Sequence, residues 1–201
     1  MKFIEKVSDA DCTDAHYIPH HCVAKQSTTT PIRIVLDCSA KQDRTKPSLN
    51  ECLLTGPSLV NDMISILIKF RLKEYAVSAD VEKAFHMVKL HEDDRNFCRF
   101  FWPKDPFNPE SEMLTYRFRV VIFGATASQF LLNSTILFHL SKYQCEASEI
   151  LRKNIYVDNL LTSFSSERDC VNFYKIAKTI MADGGFNLRE WSSNSEDLSS
   201  F

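Results

Sequence analysis

The chain has 201 residues, 44% of them hydrophobic, and a formal net charge of −2. That size supports one good core or two subdomains, and with only 4 glycines and 7 prolines the composition excludes low-complexity disorder. No stretch is long enough to span a bilayer, and the overall charge speaks against a strongly basic nucleic-acid binder.

The opening Met1 to Lys6 lacks the apolar core of a signal peptide, which implies an intracellular, cytoplasmic chain. The seven cysteines are odd in number and form no CxxC, so they suggest buried reduced thiols rather than a disulfide framework or a zinc ribbon. Cys12, His16, His20, His21 and Cys22 cluster near the start, but their spacing fits no closed four-ligand pattern, and no zinc is expected.

Residues 1–16 read as a polar N-terminal arm. "IRIVLD" (Ile32 to Asp37) is β-branched and predicts a strand. Around it lies a locally basic stretch, with Lys25, Arg33, Lys41, Arg44 and Lys46 against Asp37 and Asp43. Gly56-Pro57-Ser58 reads as a helix start, followed by Val60, Met63, Ile64, Leu67 and Ile68 at helical spacing. "EYAVSAD" (Glu74 to Asp80) predicts a strand with Ala76, Ser78 and Asp80 on one face, which leaves room beside the Asp80 carboxylate.

Phe97 to Trp102 and Leu114 to Phe123 predict a strand pair joined by a loop with three prolines. A helix is expected over about 125–143, with Phe130, Leu131, Leu137 and Phe138 on one side. "ILRKNIYVDNLLTSF" (Ile150 to Phe164) predicts a hairpin. Ser166 to Asp169 resembles a capping box, and Val171, Tyr174, Ala177 and Met181 mark the helix after it, stopped by Gly184-Gly185. The order predicts an α+β domain with helices packed on one face of an antiparallel sheet.

An Asp in a tight turn is ordinarily a turn former. Yet Asp80 ends one predicted strand and Asp158 tops a hairpin, and two carboxylates on neighbouring strands are what two-metal nucleotidyl transfer needs.

"AVSADVEKAFHMVKL", "VVIFGATASQF" and "NIYVDNLLTSF", in that order, resemble the palm motifs of reverse transcriptases. More narrowly, "YIPHHCVAKQSTTTPIRIVLDCSAK", "SLNECLLTGPSLVNDMISILIKFR" and "GGFNLREWSSN" resemble the reverse transcriptase region of Pao/BEL-type LTR retrotransposons, over nearly all of Tyr17 to Asn194. The resemblance implies polymerase fingers and palm: residues 17–74 fingers-like with the helix leading to the palm, and 75–201 palm, with a fingers insertion around 95–120. It implies an RNA-directed DNA polymerase using two Mg²⁺ or Mn²⁺ ions, dNTPs and an RNA/DNA template–primer.

By the same resemblance, Asp80 and Asp158 are the catalytic carboxylates, and the Val81 carbonyl is a further metal ligand. Lys25 and Arg33 grip the triphosphate. Phe85 is a steric gate against the 2′-hydroxyl, although "KAFHMV" alone also reads as core. Phe123, Gly124 and Tyr156 contact template or primer. Gln129 departs from an expected proline. Asn159 departs more, since it stands where the family has its second aspartate and removes one charge from the site.

Two outcomes stay open: a site with weaker metal affinity, or a decayed copy that folds without polymerising. Thumb, RNase H and integrase are not visible, which implies a fragment of a pol polyprotein whose remaining domains are partners, housed in a virus-like particle if the element is active. The alternative is a non-catalytic palm-like module that binds nucleic acid or protein.

Overall fold

The computed structural model describes residues 3–7, 14–24 and 31–199. In chain order its elements are β1 (Ile4–Lys6), β2 (His20–Ala24), β3 (Ile32–Leu36), α1 (Leu49–Cys52), α2 (Met63–Leu72), β4 (Tyr75–Val81), β5 (Arg99–Pro103), β6 (Met113–Phe118), α3 (Ser128–Leu140), α4 (Glu146–Asn154), β7 (Ile155–Tyr156), β8 (Asn159–Phe164), α5 (Glu167–Asp183), β9 (Leu188–Ser193) and α6 (Glu196–Ser199). Two short 3-10 helices, Ala84–Met87 and Asp93–Cys98, lie between β4 and β5. The chain divides into two compact units, Met1–Gly56 with Val88–Ser128, and Pro57–Met87 with Gln129–Phe201.

The first unit holds an antiparallel sheet in the order β1-β6-β5 and a separate β2-β3 ribbon. Ile4–Lys6, expected to be part of a polar arm, is an edge strand on β6. Glu5 anchors it through Arg117, Arg119 and Arg95, at 2.7, 3.4 and 3.5 Å. Those guanidiniums pull the Glu5 carboxyl below its ordinary range despite its partial burial. The apolar centre gathers Ile18, Cys38, Leu49 and Ile122.

α1 was not foreseen. It is short, but Ser48 and Glu51 form a reciprocal capping box. Asn50 on α1 donates to the Gly124 carbonyl at 3.0 Å and accepts from the Thr126 N–H at 2.8 Å, so it fixes the Gly124 turn.

The second unit is built on an antiparallel sheet in the order β7-β8-β4-β9. Val77, Ala79 and Val81 lie on its buried face, where β8 contributes Leu160 and Thr162. Helices α2, α4 and α5 pack against this sheet. α2 starts at Met63, several residues beyond the Gly-Pro-Ser signal, because the Asp62 carboxylate accepts the Ser65 N–H at 2.7 Å and is the better cap.

α3 buries Leu132, Ile136, His139 and Leu140, while Phe138 stays 69% exposed. The buried stripe is therefore not the Phe130/Leu131/Leu137/Phe138 side expected from sequence. α5 begins at its Ser166 cap and ends as predicted, with Gly185 at φ +79 in the left-handed region.

The expected hairpin is shorter than read. Ile150 to Asn154 belongs to α4, whose buried Ala147, Ser148, Leu151 and Asn154 follow helical spacing. Only Ile155–Tyr156 remains as the first strand. The thiols also differ from expectation. Cys38 and Cys170 are buried, the latter pushed up to about 11 chiefly by burial, but Cys22, Cys52 and Cys145 are exposed.

Candidate functional site

β4 and β8 pair so that Asp80 lies opposite Asn159, and the Val81 N–H donates to the Asp158 carbonyl at 2.8 Å. Hydrogen-bonded and non-hydrogen-bonded pairs alternate along an antiparallel ladder. Val81 and Asp158 form a bonded pair, so Asp80 and Asn159 are a non-bonded one, in which side chains come closest. Tyr156 pairs with Asn159 on the other side of β8, and Arg189 pairs with Asp80 across β9. Directly opposed residues share a face. Tyr156, Asn159, Asp80 and Arg189 therefore form one row across all four strands of the sheet, on the face opposite Val77 and Ala79.

The turn that carries Asp158 has Val157 and Asp158 at its centre, between the paired Tyr156 and Asn159. Val157 sits at φ +57. A β-branched residue there is strained, and a positive angle at the first central position but not at the second, Asp158, is the mark of a type II′ hairpin turn, where glycine is usual.

The carboxylates are not free of partners. Asn159 donates from its amide nitrogen to Asp158 Oδ1 at 2.9 Å. Arg189 Nε donates to Asp80 Oδ1 at 3.1 Å, and its other nitrogens lie 3.9 Å from Glu82 and 3.6 Å from Glu190. Asn187 donates to Glu82 at 2.9 Å, which ties the start of β9 to the end of β4.

Burial pushes the Asp158 carboxyl above its ordinary range, and the charge on Asp80 adds to that, against the opposing amide of Asn159. The Arg189 guanidinium is raised, first by its bond to Asp80.

Hard divalent cations take carboxylate and carbonyl oxygens. Asp80 and Asp158 offer the carboxylates, and the Val81 carbonyl is adjacent to Asp80 in the chain. The donor set fits such a cation. It is a sparse one: among the described residues, no three His, Cys, Asp or Glu side chains converge on a metal-sized site. Cys12, of the N-terminal Cys/His group, lies outside the described residues.

The other expected site residues are distributed. Phe85, on the 3-10 helix after β4, is 9% exposed and part of the buried core. Arg33 is exposed on β3, paired with Val23 of β2, in the other unit. Phe123 (52% exposed) and Gly124 belong to that unit too. Lys25 lies outside the described residues. Gln129 is the second residue of α3, whose start is secured by the Ser128 hydroxyl donating to the Ile122 carbonyl at 2.6 Å.

Arg189, within "GGFNLREW", carries no role that the sequence alone assigns. Its position depends on a one-residue bulge that no local pattern displays.

A family model described as "Reverse transcriptase (RNA-dependent DNA polymerase)" matches residues 23–190. Among solved structures, the protease-reverse transcriptase of prototype foamy virus is similar at TM-score 0.66 and 15% identity, covering 92% of this chain and 21% of that one. The foamy viral protease-reverse transcriptase in complex with RNA/DNA hybrid gives TM-score 0.68 and 14% identity, covering 94% and 22%. The complex of the foamy viral enzyme with dsDNA gives TM-score 0.65 and 16% identity, covering 92% and 33%. The chain thus spans about a fifth to a third of the length of these proteins. No curated protein matches the sequence. No helix among the described residues is long and apolar enough to cross a membrane.

Proposed function

This chain belongs to the reverse transcriptase (RNA-dependent DNA polymerase) family, and from that premise we propose that its Asp80 sheet face, with Asp158 in the adjoining turn, transfers a deoxynucleotide to a primer 3′-hydroxyl on an RNA template. The observation that carries the reading is the backbone bond from the Val81 N–H to the Asp158 carbonyl, which sets the β7–β8 turn beside the end of β4 that carries Asp80, close enough for the Asp80 charge to act on the Asp158 carboxyl.

Asp80, Asp158 and the Val81 carbonyl would hold Mg²⁺ or Mn²⁺. When bound, two such ions supply activation of the 3′-hydroxyl and charge neutralisation at the leaving pyrophosphate. The chain's own part is positioning. The Val81–Asp158 backbone bond locks the turn to β4, and Asn159 holds one oxygen of Asp158. Tyr156 extends the same face toward the primer. Phe85 excludes the 2′-hydroxyl of a ribonucleotide, and Lys25 and Arg33 take the triphosphate, a guanidinium by two forked donors and an ammonium as a point charge. Phe123 and Gly124 meet the template.

The second unit corresponds to a palm and the first to fingers. The motifs quoted from Tyr17 to Asn194 support a Pao/BEL-type retrotransposon origin, with thumb, RNase H and integrase as partner domains of a longer polyprotein and a virus-like particle as its setting.

The test is incorporation of dTMP on primed poly(rA). Incorporation by the native chain that disappears in Asp158→Ala supports the reading. Equal incorporation by both removes Asp158 from it.

A second reading is a non-catalytic module, favoured by the internal donors that Asp80 and Asp158 already have in Arg189 and Asn159. Duplex binding without incorporation, unchanged by Asp158→Ala, selects it.

A further inference from the structure

β9 does not run in even register beside β4. Val77 and Ser78 pair with Ser193 and Ser192, but Asp80 and Val81 pair with Arg189 and Leu188. Glu190 and Trp191 therefore stand together opposite Ala79, which is a β-bulge. Its first residue, Glu190, has φ +52, the conformation that a glycine supplies in bulges of this kind. Trp191 anchors the second position. Its indole N–H donates to the Leu188 carbonyl at 3.1 Å, and its ring meets Tyr174 edge-on at 4.8 Å.

The bulge decides which charge faces Asp80. In even register the partner would be Glu190, a carboxylate against a carboxylate. With the bulge it is Arg189. The backbone is held in a strained angle, and the result is a guanidinium on the carboxylate that the metal reading needs.

We propose that Arg189 is a built-in counterion that competes with a divalent cation for Asp80 and vacates it when the cation binds. The proposal rests on the metal-centre reading above. Two features make the exchange feasible. The pair is accessible, with side chains 44% and 27% exposed, and ion pairs in that setting are weak and screened. Arg189 also has other partners in reach, Glu82 at 3.9 Å and Glu190 at 3.6 Å, so it can leave Asp80 without losing all its carboxylates. Asp80 is then both preorganised in the metal-free chain and available to a stronger cation.

The experiment is Mn²⁺ binding followed by electron paramagnetic resonance on the full chain, comparing native protein with Arg189→Gln and Asp80→Asn. Thermal unfolding of each checks the fold. Arg189→Gln is expected to bind Mn²⁺ about three- to tenfold more tightly than native, and Asp80→Asn to lose the site. A second readout uses no substitution at Arg189. The ¹⁵N resonance of its Nε should shift when diamagnetic Mg²⁺ is added to native protein and stay still in Asp80→Asn. Equal Mn²⁺ affinity for native and Arg189→Gln, with an Nε signal unmoved by Mg²⁺, overturns the competition and leaves the metal centre standing. Absence of Mn²⁺ binding in every form removes the metal centre and the competition together.

Discussion

Asp80 and Asn159 are direct cross-strand partners in the closest-approach type of antiparallel pair, while Asp158 sits one residue earlier in a strained turn. The amide thus stands across the strand pair from Asp80, and it turns its nitrogen to Asp158. An aspartate there would add a third carboxylate beside Asp80 and Asp158.

Asn159→Asp should therefore cut both ways. Like charges directly opposed on a sheet are destabilising, by about 0.2–1 kcal/mol. The metal-free variant is expected to melt a few degrees below the native chain and to bind Mn²⁺ more tightly. Thermal unfolding with and without Mn²⁺ checks both halves.

Asp158 sets a pH dependence. Its folded carboxyl holds the proton more tightly than the ordinary value of 3.8, through burial first and the Asp80 charge second. The folded state then binds more protons than the unfolded one between those two values, so stability falls as pH rises from 3.8 through the raised value. Asp158→Asn is expected to raise the unfolding midpoint of the metal-free chain at neutral pH, with the gain shrinking on acidification. Midpoints measured across pH 3 to 8 give the comparison; a constant difference contradicts it.

The bulge at Glu190 carries removable strain. A non-glycine residue in the left-handed region costs on the order of 1 kcal/mol. Glu190→Gly should stabilise the chain by about that amount, and Glu190→Val, β-branched at the same angle, should destabilise it. Denaturant unfolding of the three proteins checks the order.

Gly124 is required twice over. Its φ is +93, and a Cβ there would meet the Leu36 carbonyl oxygen at 3.1 Å. Gly124→Ala is expected to cost about 1–3 kcal/mol in the unfolding of the first unit. Ala substitution at Leu160, fully buried beside Asn159, should cost about 2–5 kcal/mol in the second.

The strand that carries Asp80 was legible because strand alternation is local. The run Glu74 to Asp80 put Ala76, Ser78 and Asp80 on one face, and the sheet keeps them there. α5 was readable from a Ser cap, a helical stripe and a glycine stop. α4 was missed although Ala147, Leu151 and Asn154 recur at helical spacing, with acids in its first turn and bases in its last. Its own Ile150 and Leu151 merged with Ile155 and Tyr156 into one apparent strand. Arg189 was beyond reach for a different reason. Even register would have faced Asp80 with Glu190, and a single inserted residue reverses the sign of the charge there. Such a bulge depends on Trp191 packing against α5, a contact that no window of sequence contains.

The most direct measurement is extension of a primed poly(rA) template by the native chain, Asn159→Asp and Asp80→Ala, each titrated with Mg²⁺ and with Mn²⁺. Extension is expected to require Asp80 and to reach its half-maximum at lower metal concentration in Asn159→Asp than in the native chain. Extension by Asp80→Ala equal to that of the native chain would contradict that requirement.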